Sequence, residues 1–219
     1  MVKKAVSIDG ALLVVLSVIA IGLVYFSSVF TVKSIEVHGA RNASVEEMVN
    51  ATGIAKGSTL VSADIESAAV AVTQVPWVKK ATVAKKWPST IGVSVEEQVA
   101  VAFVTTSEGT TLINADGEPF VIDQPPLGTV EFITASVEDS RVFSACIEML
   151  NALTPAVRKD VARINAPSAY ELTLELLDGR QVYWGSAEQA ADKALATEDI
   201  LSQPGERFNV SNPRLVTVG

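Results

Sequence analysis

Residues 76–97 read PWVKKATVAKKWPSTIGVSVEE, and this stretch determines the fold of the first half of the chain. Two runs of strand-forming residues flank the turn sequence from Trp87 to Thr90. In the second run Ile91, Val93 and Val95 alternate with smaller or polar residues, the period-two pattern of a strand with one buried face. The stretch therefore predicts two consecutive strands joined by a short turn.

The residues before this stretch predict one strand and two helices. Residues 32–38 alternate in the same way, so they predict a strand. Ser44 and Glu47 have the spacing of a capping box, and the apolar residues after them recur at helical spacing as far as Gly53. A second amphipathic pattern covers residues 64–73 and stops before Pro76. The predicted order is strand, helix, helix, strand, strand.

This order resembles the POTRA domain of the FtsQ/DivIB bacterial cell-division proteins. The residues that carry the resemblance are Val32, Ile35, Glu36, Val37, Gly39, Pro76, Trp77, Val78, Ala81, Val83, Trp87, Pro88, Val93, Val95 and Glu97. The resemblance implies an α+β fold class, in which a single transmembrane helix precedes a POTRA domain (β-α-α-β-β) and a second, mixed β-rich domain.

An apolar run lies directly before the POTRA-like region. Residues 11–30 contain no charge and no proline, and a helix of this length spans the roughly 30 Å hydrocarbon core of a bilayer. A cleaved signal peptide is the alternative, but Tyr25, Phe26 and Phe30 stand where its small residues belong. Lys3 and Lys4 precede the run, so the positive-inside rule leaves residues 1–10 in the cytoplasm and the rest outside.

Residues 99–219 predict the second domain of the α+β fold. Apolar runs at 99–104, 111–113 and 120–122 are separated by turn residues, and Ser136 is predicted to cap a helix through Leu150. Leu172, Leu174 and Leu176 precede Asp178-Gly179, a hairpin signal. A helix with Ala187, Ala191, Ala194 and Leu195 on its buried side follows, then strands at 207–210 and 214–218. The expected domains are 1–10, 11–30, 31–98 and 99–219.

The sequence contains no recognisable catalytic or cofactor site. His38 is the only histidine and Cys146 the only cysteine, so a hydrolytic triad, a zinc site and an internal disulfide all lack their residues. The formal net charge of −8 disfavours nucleic acid as a partner. We expect no enzymatic activity, no cofactor, no metal and no small-molecule substrate.

Two segments are candidate partner-binding sites. The first contains the four lysines of the deciding stretch, Lys79, Lys80, Lys85 and Lys86. They form either a basic patch for an acidic partner or a solvated strand that is protected against edge pairing. The second is the end of the chain, Arg214, Leu215, Val216, Thr217 and Val218. This β-prone segment either simply completes the sheet or leaves an open edge for a partner's strand.

The family resemblance extends these expectations to function. It implies a bitopic inner-membrane scaffold at the division septum, held by the lipid bilayer and linked to partners of the FtsB/DivIC and FtsL type. Through them it would help regulate septal peptidoglycan synthesis. The alternative is an exported wall-binding or wall-modifying protein with a POTRA-like domain, since a fold alone does not fix a function.

Overall fold

The structure is a computed structural model that describes residues 13–17, 22, 28–134 and 139–219. It divides into two compact units, residues 1–98 and residues 99–219. The predicted membrane span, residues 11–30, falls mostly outside the described residues. Within the described ranges no helix is both long and apolar enough to cross a bilayer.

The first unit has the predicted POTRA order. Its elements are β1 (Ser34–His38), α1 (Val45–Ala51), α2 (Ile65–Val72), β2 (Val78–Lys86) and β3 (Thr90–Glu97), with short 3-10 turns at Ser28–Phe30 and Leu60–Ser62. The strands form a sheet of order β1-β3-β2, in which β3 is parallel to β1 and antiparallel to β2. The peptide bond between Trp87 and Pro88 is cis.

Capping residues start both helices of this unit where the sequence predicts. The Ser44 hydroxyl accepts the Glu47 backbone N–H at the start of α1, and the Asp64 carboxylate accepts the Ser67 N–H at the start of α2. Each side chain satisfies a backbone donor that the first helical turn leaves free. Met48, Ala68 and Val72 then pack in the core between the helices and the sheet.

The second unit is built on one large mixed sheet. Its strands are β4 (Ala100–Thr106), β5 (Gly109–Asn114), β6 (Pro119–Ile122), β7 (Val130–Thr134), β8 (Val161–Ala166), β9 (Leu172–Leu176), β10 (Gln181–Gly185), β11 (Arg207–Asn209) and β12 (Thr217–Val218). The nine strands lie in the order β12-β11-β10-β9-β8-β7-β4-β5-β6. The strand pairs β4–β7, β7–β8 and β10–β11 are parallel. The chain's final strand is therefore at one edge of the sheet.

The described residues of this unit also form three helices: α3 (Ser140–Ala152), α4 (Pro155–Arg158) and α5 (Ala190–Leu201). Buried residues of α3 and α5 form one core with the strands, and the rings of Phe132 and Phe143 stack with centroids 6.5 Å apart. The Asp178-Gly179 hairpin is confirmed, since β9 and β10 pair antiparallel across it. A short helix beginning at Pro155 is also present, with proline in its first turn.

Three expectations for the second unit are wrong in detail. The cap of α3 is Asp139, whose carboxylate accepts the Arg141 N–H, and the predicted Ser136 lies outside the described residues. The buried face of α5 contains Lys193, Ala194, Thr197 and Ile200, whereas Ala191 and Leu195 are exposed. The predicted strand 214–218 is formed only by Thr217 and Val218, because hydrogen bonds to Asn212 extend the preceding turn through Leu215.

Candidate partner-binding site

Two asparagines position the C-terminal segment. Asn209 Oδ1 accepts the Ser211 backbone N–H and hydroxyl, and Asn212 Oδ1 accepts the Arg214 N–H. Such side-chain turns replace a regular backbone turn and reverse the chain direction. The last residues consequently return along β11, with Val218 opposite Phe208 and Thr217 opposite Asn209.

The backbone of β12 has one open side. The Gly219 N–H donates to the Arg207 carbonyl at 2.9 Å, and backbone groups of successive strand residues point in alternate directions. Gly219 and Thr217 therefore direct their hydrogen-bonding groups toward β11. The N–H and C=O of Val218 point away from the sheet, where no further strand is paired among the described residues.

The backbone at Gly205 packs closely against this last strand. A Cβ atom added at Gly205 would lie 2.6 Å from Cγ1 of Val218 and 3.0 Å from the Phe208 ring. Atoms this close must move apart, so only glycine lets the backbone at 205 approach the strand. The buried Phe208 ring, Gly205 and Val218 thus hold a strand that has only two ladder residues.

A groove of about 470 Å³ lies between α5 and the C-terminal segment. Leu195 and Val216 supply apolar surface, and Asp192, Asp199 and Arg214 supply charge. Leu195 is 61 % exposed here, although the sequence pattern places it in the core. Sequence reasoning missed this groove. The only signal for it is the stripe of α5 that contains Lys193 and Thr197, which is buried. Because these two residues are polar, the sequence pattern does not mark their stripe as buried.

The predicted C-terminal site residues lie together at this sheet edge. Leu215, at 69 % exposed, and Val218, at 46 %, present apolar side chains to solvent, and Arg214 and Thr217 are also exposed. Val216 is half-buried and packs against the core. The structure thus combines an open backbone edge, an apolar surface and the charged groove within one short segment.

The four lysines do not form one patch. Lys80 and Lys86 lie on one face of the first unit's sheet, and each pairs with a glutamate, Glu96 at 3.2 Å and Glu36 at 3.1 Å. Lys85 is on the opposite, helix-packed face, and its ammonium donates to the Val61 carbonyl at 2.6 Å. Lys79 lies at a bulge in β2. Because side chains alternate between the two faces of a strand, neighbouring lysines lie on opposite faces.

His38 and Cys146, whose residue types often serve in catalysis, belong to different units. His38 is on the exposed face of β1, with its Nε2 3.3 Å from Nζ of Lys86. Cys146 is fully buried in α3, and burial raises the pKa of its thiol to about 12, so it remains protonated and unreactive. Among the described residues no cluster of His, Cys, Asp and Glu is suited to hold a metal ion.

Comparison with known proteins identifies the family. A model of the FtsQ-type POTRA domain matches residues 30–98, and a model of the FtsQ/DivIB C-terminal region matches residues 102–213. The cell division protein FtsQ of Corynebacterium glutamicum is 34 % identical over 219 residues, which cover 99 % of each chain. The chain belongs to the FtsQ/DivIB family of cell-division proteins.

Other similar proteins have the same family name. FtsQ of Mycobacteroides abscessus is 36 % identical over 211 residues, which cover 94 % of this chain and 68 % of that protein. A solved extracytoplasmic domain of DivIB from Geobacillus stearothermophilus matches 49 % of this chain and 93 % of that domain, at 18 % identity and a TM-score of 0.38.

Proposed function

We propose that this FtsQ/DivIB protein is a membrane-anchored, non-enzymatic scaffold of the divisome. Its C-terminal strand binds a partner of the FtsB/DivIC type, and an FtsL-type protein joins through that complex. Residues 11–30 anchor it in the inner membrane, residues 1–10 lie in the cytoplasm, and both folded units lie outside, at the septum. By holding these partners the protein helps to regulate septal peptidoglycan synthesis.

The observation that supports partner binding is the open side of β12. An extended peptide can add to such an edge as a further strand, with main-chain hydrogen bonds giving affinity. Charge or proline usually protects a free edge against association. Here Pro213 and Arg214 precede the strand, while Thr217 and Val218 leave the edge itself uncharged. The edge therefore has the chemistry of a binding strand.

The groove beside this edge provides a source of specificity. A peptide paired with β12 has side chains that extend toward α5, where Leu195 and Val216 offer apolar contact. Asp192 and Asp199 favour a basic partner residue, because complementary charge mainly sets specificity and association rate. We therefore expect the partner's pairing segment to combine an apolar anchor with a positive charge.

The test is to replace Val218 by proline in the full-length protein. Proline removes the N–H that points to the open side but leaves the bonds of Thr217 and Gly219 to β11 intact. The loss of this hydrogen bond leaves a carbonyl of the bound partner protein unpaired. It costs about 1 to 3 kcal/mol of binding free energy, or roughly 5- to 150-fold in affinity. Affinity is measured against the purified FtsB/DivIC-type partner of the same organism.

The matched control is Val218→Thr, which keeps the β-branched shape and the backbone N–H. It should bind the partner nearly as well as the original chain does. If Val218→Pro folds normally and binds with unchanged affinity, then the partner does not pair with this strand and the proposed surface is wrong.

A further inference from the structure

An exposed tryptophan touches the end of the apolar run. Trp87, in the turn between β2 and β3, is 57 % exposed. Its ring meets that of Phe30 edge-on, with centroids 5.5 Å apart. Phe30 is the last residue of the predicted membrane span, residues 11–30. The side chain of Trp87 therefore has one side on Phe30 and the other side open.

The chain is tied down immediately after Phe30, so Trp87 cannot move far from this point. The Lys33 N–H donates to the Ser89 carbonyl at 2.8 Å, which joins the turn to the emerging chain. On the other side the Val32 N–H donates to the Ser58 carbonyl at 2.8 Å, and Thr31 bridges to Thr59. The POTRA unit thus begins without a flexible linker after the apolar run.

These contacts keep Trp87 within reach of the head-group layer if residues 11–30 span the bilayer. The head-group layer on each side of the hydrocarbon core is roughly 5 to 8 Å thick. Phe30 ends the span, and the 5.5 Å between its ring and that of Trp87 is comparable to this thickness. Tryptophan prefers this interfacial layer, because its ring is apolar and its N–H is polar.

The residues around Trp87 fit a lipid surface. Val29 is 52 % exposed beside the aromatic pair. Lys33 and Lys56 are exposed near the start of the unit, Lys56 next to Gly57, whose N–H donates to the Val32 carbonyl. An apolar and aromatic tip with nearby lysines is the composition of interfacial anchors, which bind more strongly to anionic lipids.

We infer that Trp87 inserts into the head-group layer of the membrane and holds the Trp87–Pro88 turn of the POTRA unit against the lipid surface. This inference rests on the proposed membrane span. Together the span and Trp87 give the unit two attachment points, which restrict its rotation about the anchor.

The experiment uses the full-length protein in vesicles of phosphatidylethanolamine and phosphatidylglycerol. The chain has three tryptophans, and Trp77 and Trp184 are buried. The difference in fluorescence between the original protein and the Trp87→Phe variant therefore reports Trp87. Quenching by lipids brominated in the acyl chain near the head group is compared with quenching by iodide outside the vesicles.

A second variant provides the matched control. Trp87→Phe combined with Lys80→Trp places a tryptophan near the other end of β2, about 20 Å away at roughly 3.3 Å per strand residue. We expect brominated lipid to quench Trp87 and not the tryptophan at position 80. Iodide should quench the tryptophan at position 80 strongly and Trp87 weakly.

Two results would overturn the inference, and they differ from one another. If the protein resists an alkaline carbonate wash but iodide, not brominated lipid, quenches Trp87, the span holds and the tryptophan contact is wrong. If carbonate releases the protein from the vesicles, the proposed span fails, and the inference fails with it.

Discussion

At the scale of single residues, two positions of the family pattern, Gly39 and Glu97, have a structural explanation in one loop. Oε1 of Glu97 accepts the backbone N–H groups of Arg41, Asn42 and Ala43 at 2.7 to 2.9 Å, and Oε2 accepts the Asn42 side chain. The chain reaches this carboxylate by turning at Gly39, where a Cβ atom would lie 2.1 Å from the Val95 carbonyl oxygen. Gly39 and Glu97 together hold the loop between β1 and α1.

Replacing Glu97 by glutamine should therefore destabilise the first unit. Partial burial raises the pKa of this carboxyl, but hydrogen bonds from Arg41, Ala43 and Asn42 outweigh it and hold the pKa below the ordinary 4.5. A lowered pKa stabilises the fold above pH 4.5, and this contribution is lost as the pH falls through the folded-state pKa. We expect Glu97→Gln to cost about 1 to 2 kcal/mol at neutral pH.

Urea unfolding at a series of pH values tests this prediction. The difference between the original protein and Glu97→Gln should shrink as the pH falls below 4.5, because the native carboxyl then becomes protonated. The control is Glu96→Gln, which removes only the exposed pair with Lys80 and should change stability by less than about 1 kcal/mol. A constant difference at all pH values would show that the charge of Glu97 contributes nothing.

A buried lysine shows where sequence reasoning fails at this scale. Lys193 is 3 % exposed, and its ammonium donates to the carbonyls of Trp184 and Ser186. Burial lowers its pKa, and Glu188 partly opposes this. Lysine is rarely buried without partners, and these partners are backbone carbonyls that no sequence pattern reveals. The sequence pattern therefore places the buried face of α5 on the wrong side of the helix.

At the scale of elements, β2 has lysines with different roles on its two faces. Lys80 forms an exposed ion pair with Glu96, whereas Lys85 binds the Val61 carbonyl in the turn before α2. The sequence analysis treats the four lysines as one group, whereas Lys85 is half-buried and hydrogen-bonded on the helix-packed face. A negative charge there would face a carbonyl oxygen beside the core.

We expect Lys85→Ala to reduce the free energy of unfolding by about 1 to 2 kcal/mol, since a hydrogen bond from a charged donor is lost. Lys80→Ala is the matched comparison, and an exposed ion pair contributes about 0 to 1 kcal/mol. Urea unfolding of the two variants measures the difference. Equal stabilities would contradict the assignment of the two lysines to different faces.

The pattern of correct and missed elements has a physical cause. The elements of the first unit have local signals, such as the capping box at Ser44, the stop at Pro76 and the turn at Trp87-Pro88. In the second unit the sequence missed β7 and β8, which pair parallel with each other. A parallel pair has no connecting hairpin turn to mark it. The stability of these strands depends on partners far along the chain.

At the scale of the whole molecule, the structure consists of two units, and one contact surface is proposed for each. The POTRA fold of the first unit begins directly after the apolar run, and the Trp87 turn lies at that point. The second has its open strand at the other end of the chain, at Thr217 and Val218. This division fits the proposed scaffold function, with one proposed binding surface on each unit.

The sequence alone located the terminal strand as a candidate site but could not give its direction. Which backbone groups of β12 face outward depends on its register with β11, and two hydrogen-bonded asparagine turns set that register. The groove beside α5 depends in turn on the buried position of Lys193. Both features come from contacts between segments, which periodicity and propensity do not encode.

The most direct test of the scaffold proposal is amide hydrogen exchange at Val218 in the full-length protein. Its N–H points to the open side of the sheet, so it should exchange rapidly in the free protein. When the FtsB/DivIC-type partner is bound as an added strand, the exchange should slow markedly, while the Gly219 N–H, already bonded to Arg207, changes less. Rapid exchange at Val218 in the saturated complex would contradict the proposal.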